Sequence, residues 1–238
     1  MTPTDDEAQV EQEALDYARA HKKAIAKRLT DMGRHPREES PVSVFMAGSP
    51  GAGKTEASLE LLKKFGDSPV IRIDPDELRS EFPAYRGANA WLFQRAVSIL
   101  VEKVHDLALE QSQSFLLDGT LSHYDVARKN IDRSLKRERT VQILYVYQEP
   151  QLAWEFVQAR EAAEGRRIEP EHFIEQYFAA RDVVNRLKRE LGKEIFVDLL
   201  LKNNDNTQRM YRAGVDQIGN HIPEKYSRAQ IEQLIKVK

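Results

Sequence analysis

VSVFMAGSPGAGKTEASLELL, residues 42–62, is the stretch on which the reading of this chain turns. An apolar, β-prone run, Val42 to Gly48, leads into Gly48-Ser49-Pro50-Gly51-Ala52-Gly53-Lys54-Thr55, and a helical run, KTEASLELLKKF, follows at once. The middle segment matches G-x-x-x-x-G-K-[ST] between a strand and a helix, the context that a phosphate-binding loop requires. Its glycines let successive backbone N–H groups point inward at phosphate oxygens, and the helix N-terminus adds the positive end of its dipole. The pattern predicts that Gly48 to Thr55 bind a nucleotide, with Lys54 reaching the β- and γ-phosphates and the Thr55 hydroxyl on Mg²⁺.

Further short runs of the same kind follow: VIRID (70–74), SFLLDG (114–119), VQILYVY (141–147) and IFVDLLL (195–201). They are mostly apolar on both faces and alternate with helical patterns. That predicts an α/β fold, a three-layer sandwich around a mostly parallel sheet of about five strands with crossover helices. The fourth and fifth runs are separated by two helical patterns, Pro150 to Glu164 and Pro170 to Leu191, hinged at Gly165-Arg166-Arg167. This exceeds what one crossover needs, and a helical lid over the sheet is expected within about 150–191. Past Lys202, NNDN (203–206) is a turn signal, and Ser227 with Gln230 forms a capping box for a last helix through Leu234.

Upstream, residues 5–32 contain neither Pro nor Gly, and Ala14, Ala18, Ile25, Leu29 and Met32 recur at helical spacing. One amphipathic helix ending at Gly33 is expected, with RHPREESP as a linker. The chain therefore divides into an N-terminal helix and linker, 1–40, and a kinase-type domain, 41–238. The helix is expected to cover a sheet edge; the competing reading is that it inhibits the nucleotide site in cis.

Composition narrows the class further. Thirty-six Lys and Arg against 38 Asp and Glu leave a net charge of −2, so the basic footprint of a nucleic-acid-binding protein is missing and such a partner is not expected. DRSLKRER (132–139) reads as a solvated helix face. The absence of cysteine excludes disulfides, thiolate metal sites and cysteine nucleophiles. No apolar run approaches a membrane span, and the acidic, polar N-terminus lacks the layout of a signal peptide. A cytoplasmic protein with no membrane partner is expected.

Two acidic segments supply the remaining chemistry. Asp118 ends the third run, where a carboxylate approaches the metal through its water shell. In Asp74-Pro75-Asp76-Glu77-Leu78-Arg79, Asp74 suits an N-cap, Pro75 the first helical position and Glu77 a capping box. Asp76 reads either as a dipole-favoured acid or as the general base that takes a proton from a substrate hydroxyl. Arg79, a cation near a helix start, needs an anion beside it.

GSPGAGKT, IDPDELR, LLDGT and an arginine-bearing lid together resemble the zeta-toxin kinases, relatives of chloramphenicol phosphotransferase and polynucleotide 5′-kinases. The resemblance spans about residues 42–202. It implies ATP and Mg²⁺ as cofactors, Asp76 and Lys54 as catalytic residues, and Asp118 with Thr55 at the metal. It implies substrate contacts from Arg79, from Thr120 and from Glu102, a helix glutamate sixteen residues before Asp118. Arg160 is similar to the family's first lid arginine and Arg167 to the second, with Arg166 beside it and a shorter separation than in the family. The implied reaction is phosphorylation of the 3′-hydroxyl of the amino sugar in UDP-N-acetylglucosamine or a related UDP-sugar, which blocks cell-wall synthesis, with an antitoxin protein as partner. A kinase for another hydroxyl, such as a polynucleotide 5′-end or an antibiotic, and a non-catalytic nucleotide-binding module are the alternatives.

Overall fold

The computed structural model describes residues 4–64, 70–203, 208–223 and 225–236. Its sheet holds β1 (Val42–Ala47), β2 (Ile71–Ile73), β3 (Phe115–Leu117), β4 (Thr140–Tyr147), β5 (Ile195–Lys202) and β6 (Gln208–Arg212) in the order β2-β3-β1-β4-β5-β6. The first five strands are parallel, with Val44 level with Leu116 and Gln142, and β6 runs antiparallel to β5. Five strands were expected. The sixth, QRMYR, shows no apolar run because it is an edge strand with Tyr211 exposed. It is held from inside the sheet: the buried Asp198 carboxylate accepts from Tyr211 Oη at 2.5 Å, Gly214 N at 2.9 Å and Gln142 Nε2 at 2.5 Å. The NNDN turn after Asn203 and the end of the run KTEASLELLKKF, Phe65, lie outside the described residues.

Apolar side chains on both sheet faces recruit helices to both, and burying each large one contributes roughly 1.5–3 kcal/mol. On one face Val44, Met46, Leu116, Leu144 and Val146 meet Ala57 of α2 (Lys54–Lys64). The other face packs Phe45, Phe115, Ile143 and Val197 against α1 (Asp5–Leu29), α4 (Gln94–Glu110), α5 (Tyr124–Leu135) and α7 (Pro170–Leu191). Two further helices, α3 (Pro75–Arg79) and α6 (Pro150–Glu164), stand at the carboxyl edge, and α8 (Arg228–Lys236) closes the described chain. α8 starts with the expected box: Gln230 Oε1 accepts from Ser227 N at 2.7 Å, and Ser227 Oγ from Gln230 N at 3.3 Å.

α1 begins with a capping box at Thr4 and Glu7 and stops at Leu29, short of the expected Gly33. Thr30 ends it, its hydroxyl donating to Ala26 O at 2.8 Å, and Met32, counted among the apolar stripe, is exposed. The helix packs on α4 and on residues 90–93, with ion pairs from Arg28 to Glu81 at 2.6 Å and Arg95 to Glu11 at 3.2 Å. Its buried Ala14, Leu15, Ala18, Ile25 and Ala26 join the main core.

Two other expectations change. α7 carries Phe173, Tyr177, Val184 and Leu187 into the core, so it is the crossover from β4 to β5, and only the end of α6 with residues 165–169 overhangs the sheet. Arg139, read as part of a solvated face, is buried under the amino edge of the sheet. There it donates to Ser43 Oγ at 2.8 Å and Gln113 O at 2.5 Å, satisfying groups that the strand starts leave open. Among the described residues no helix is long and apolar enough to cross a membrane.

The strand order decides where a ligand sits. The connection after β1 leads to β2 on one side, while β4 leads to β5 on the other, so the carboxyl edge at β1 is a topological switch point.

Candidate active site

The loop Gly48–Thr55 emerges at that edge. Gly48 has φ +136°, and a Cβ there would run into Val146 O; Gly51 has φ +71°, and a Cβ there would run into Ala153 O of α6. The loop thus lies closer to β4 and α6 than any side chain permits. α2 begins at Lys54, so its first N–H groups and dipole face the loop. Lys54 Nζ donates to Ser49 O at 2.6 Å. Burial lowers its ammonium to about 8, with the carboxylates of Asp118 and Asp76 offsetting part of the loss.

A second tier of charge follows from β2 and β3. Asp118, directly after β3, has its N–H bonded to Ile73 O at 2.9 Å and accepts on Oδ2 from Ser58 Oγ at 3.1 Å and Arg72 Nη2 at 2.8 Å. Arg72 also holds Asp74 at 2.5 Å and Glu77. Neither Arg72 nor Ser58 was anticipated; a lone cation inside the apolar run VIRID was the available signal. Asp74 caps α3 by accepting from Asp76 N at 2.7 Å, but Glu77 turns to Arg72 instead of completing a capping box. Burial pushes the Asp74 carboxyl up, against the pull of Arg72.

Asp76 collects three guanidinium groups. Arg166 binds it with two nitrogens, at 2.6 and 2.8 Å, Arg160 Nη2 lies at 2.9 Å, and Arg79 completes the set. Burial alone would raise the Asp76 carboxyl; the three arginines outweigh it and hold the group far below the usual carboxylate range. Because α3 spans only five residues, Arg79 lies at its C-terminal end, where the dipole favours a cation, and not in an unfavourable first turn. Its Nη2 donates to Gln94 Oε1 at 2.8 Å.

The lid residues divide sharply. α6 ends at Gly165, left-handed at φ +72°, and the turn brings Arg166 onto Asp76. Arg167, the expected second lid arginine, is 64% exposed and pairs with Glu169 at 3.2 Å. The cleft between these elements, about 480 Å³, is lined by Thr55, Asp74, Asp76, Glu77, Ser80, Tyr85, Arg86, Gly87, Arg160, Glu164 and Arg166. Glu102 is not among them: it is 57% exposed on α4 and pairs with Lys129 of α5 at 2.9 Å. Thr120 stands behind the loop, its carbonyl accepting from Gly48 N at 3.2 Å and its hydroxyl sharing a hydrogen bond with Ser122 at 2.9 Å. No residue of α1 lines the cleft.

Among the described residues no cluster of three or more His, Asp or Glu side chains forms a self-sufficient metal site. The donor set near the loop, the Thr55 hydroxyl and the Asp118 carboxylate, is all hard oxygen. It fits a magnesium ion whose other ligands are phosphate oxygens and water.

The sequence model of the zeta toxin family matches residues 26–216, from the last turn of α1 past β6. The chain belongs to the zeta toxin family. Its membership makes it one of a family of P-loop, kinase-type phosphotransferases, and the carboxyl-edge cleft is where that fold binds nucleotide. The fold is similar to that of a chain from the PezAT chromosomal toxin–antitoxin system of Streptococcus pneumoniae: TM-score 0.65, 17% identity, covering 99% of this chain and 94% of that one. It is also similar to a chain of the AvrRxo1-ORF1:AvrRxo1-ORF2 complex with sulphate ions, at TM-score 0.58 and 16% identity, covering 90% and 70% of the two chains. The same complex with ATP gives 0.56 and 17%, covering 85% and 65%. A search of curated protein sequences finds no match.

Proposed function

We propose that this zeta toxin family member transfers the γ-phosphate of ATP to a hydroxyl of a UDP-sugar, with the 3′-hydroxyl of UDP-N-acetylglucosamine as the leading acceptor. The observation that carries the reading is Asp76, a carboxylate in the same cleft as Thr55 of the phosphate loop, held by two lid arginines. Lys54 and the loop N–H groups bind the phosphates. Thr55 and Asp118 hold Mg²⁺, which when bound supplies positive charge to the phosphate oxygens. Incoming γ-phosphate competes with Asp76 for Arg160 and Arg166. As the two guanidiniums shift to the transferring group, Asp76 loses two of the three charges that depress its pKa, keeping Arg79, and can accept the acceptor hydroxyl's proton. The hydroxyl oxygen bonds to the γ-phosphorus, the bond from that phosphorus to the β-bridging oxygen breaks, and ADP leaves with the electron pair.

Arg166 takes the role first given to Arg167. The reading places the protein in the cytoplasm, with an antitoxin covering the cleft as its partner. A second reading, transfer to a different hydroxyl acceptor, is favoured by one observation: Glu102, which the UDP-sugar reading would have on the substrate, faces Lys129 outside the cleft. Incubation with Mg-ATP and a panel of UDP-sugars, nucleic-acid 5′-ends and antibiotics, read by mass increase of the acceptor, separates the two. A phosphorylated UDP-amino sugar is expected. Asp76→Asn is expected to lower transfer by about 10²–10⁴-fold, the usual worth of a positioned base. Phosphorylation of another acceptor alone would replace the leading reading by the second.

A further inference from the structure

Alternation along β2, an edge strand of the sheet, separates its side chains. Ile71 and Ile73 enter the main core, so Arg72 between them leaves on the opposite face, level with Leu116 of β3 on the side that α2 covers. The same alternation sends Asp74 and Asp118 to that face, just past the ends of β2 and β3. One guanidinium there meets all three segments that carry the proposed chemistry. Its Nη2 donates to Asp118 Oδ2 at 2.8 Å and to Asp74 Oδ2 at 2.5 Å, Nη1 donates to Glu77 in the first turn of α3, and Nε donates to Ser58 Oγ at 3.1 Å. Ser58 sits about one turn after Thr55 on α2, its hydroxyl 2.8 Å from Thr55 O and 3.1 Å from Asp118 Oδ2.

The side chains of Arg72, Asp74 and Asp118 are each 9% exposed or less. Two buried carboxylates at such short range repel, and a cation between them offsets the repulsion and their loss of water together. A lysine would bring one point charge; the guanidinium is a planar fork whose three nitrogens reach Asp118, Asp74, Glu77 and Ser58 at once. The contacts to the Asp118 carboxylate also share a side. Arg72 and Ser58 both meet Oδ2, and among the described residues Oδ1 carries no hydrogen bond. A carboxylate held by one oxygen keeps the other for a metal-bound water, the arrangement by which outer groups orient a metal's ligands.

We propose that Arg72 is a positioning residue for the metal: by gripping Asp118 through Oδ2 it leaves Oδ1 to serve the magnesium ion whose other protein donor is Thr55. The same guanidinium ties Asp118 to Asp74, the cap of the helix that carries Asp76, so one group sets the metal carboxylate and the base relative to each other. This rests on the kinase reading for the metal and adds the residue through which its carboxylate is placed.

The test measures binding without turnover, on the full chain. The non-hydrolysable analogue AMP-PNP is titrated calorimetrically into wild-type protein, Arg72→Gln, Arg72→Lys, Asp118→Asn and the Arg72→Gln/Asp118→Asn double variant, once with Mg²⁺ and once with a chelator. The quantity read is the factor by which Mg²⁺ tightens AMP-PNP. Arg72→Gln is expected to lower that factor about tenfold or more, in the range for loss of a group that orients a metal ligand, and Arg72→Lys to recover part of it. In the Asp118→Asn background, Arg72→Gln is expected to lower it less than about twofold further, because the group through which Arg72 acts is gone. Binding in the chelator reports an intact fold, and Arg72→Lys decides the matter if Arg72→Gln does not fold. A magnesium factor unchanged or enlarged in the Arg72 variants would overturn the proposal. So would losses that simply add in the double variant, the mark of a general structural role, or a wild-type protein whose AMP-PNP affinity ignores Mg²⁺. Failure of the kinase reading is a different result: a magnesium factor that depends on Arg72, with no phosphate transferred from ATP to any acceptor.

Discussion

The proposed donor site is one unbroken stretch, Gly48–Thr55, of which Thr55 lines the cleft, and it would work mainly through backbone N–H groups and one lysine. The rest of the cleft is assembled from side chains such as Asp76, Arg86, Arg160 and Arg166, brought together across as many as 90 positions of sequence. A backbone site is specified by φ values and close approaches, so its weak points are the residues that lack a Cβ. A side-chain site is specified by the direction in which each residue leaves its element, and a shift of one position can empty it. Asp76 ties the two together electrostatically, lying near enough to Lys54 to raise its pKa while holding the lid arginines.

The largest effect should come from breaking the donor site at its backbone. Gly51→Ala forces a side chain onto a left-handed φ and into Ala153 O, which displaces either the loop or the start of α6. Loss of measurable AMP-PNP binding, with the far-ultraviolet spectrum retained, is the expected outcome; wild-type affinity would show that the loop does not depend on that approach.

Among the side chains, neighbouring arginines offer a sharper contrast. Arg166→Gln should reduce transfer by about 10³-fold, in the range for an arginine that stabilises charge on a moving phosphoryl group. Arg167→Gln, which removes only exposed pairs with Glu161 and Glu169, should change it less than about threefold. Steady-state kinetics on both variants decide it, and reversed magnitudes would mean that the lid rearranges before transfer.

The smallest effect is a pH dependence confined to the donor site. With its ammonium lowered to about 8 by burial, Lys54 is half neutral near that pH in the free protein, and bound phosphate raises the value. Binding therefore takes up a proton above about pH 8, and AMP-PNP affinity should fall as pH rises from 8 to 9.5, by less than about tenfold per unit. Lys54→Arg, which stays charged, should flatten that slope in a titration series even if it binds more weakly overall.

How far the sequence could be read follows the same division. The P-loop, the strand runs and the capping box at Ser227 rest on local chemistry, visible in a handful of adjacent residues. β6 and the buried Arg139 were illegible because their partners, Asp198 for the first and Ser43 and Gln113 for the second, lie far away in sequence. Arg72 was passed over for a related reason: its role is defined by three carboxylates that only converge when β2 and β3 pair.

From the residues alone came the nucleotide loop, the parallel α/β class, the acid at Asp76 and an arginine-bearing lid, since each depends on spacing or on the preferences of a short segment. The tertiary structure decided which arginine faces Asp76, turned Glu102 outward to Lys129 and made α7 a core helix. The physical reason is that a side chain's direction depends on how its element packs against distant ones, and a left-handed glycine at 165 or the length of α3 changes that direction without altering any motif.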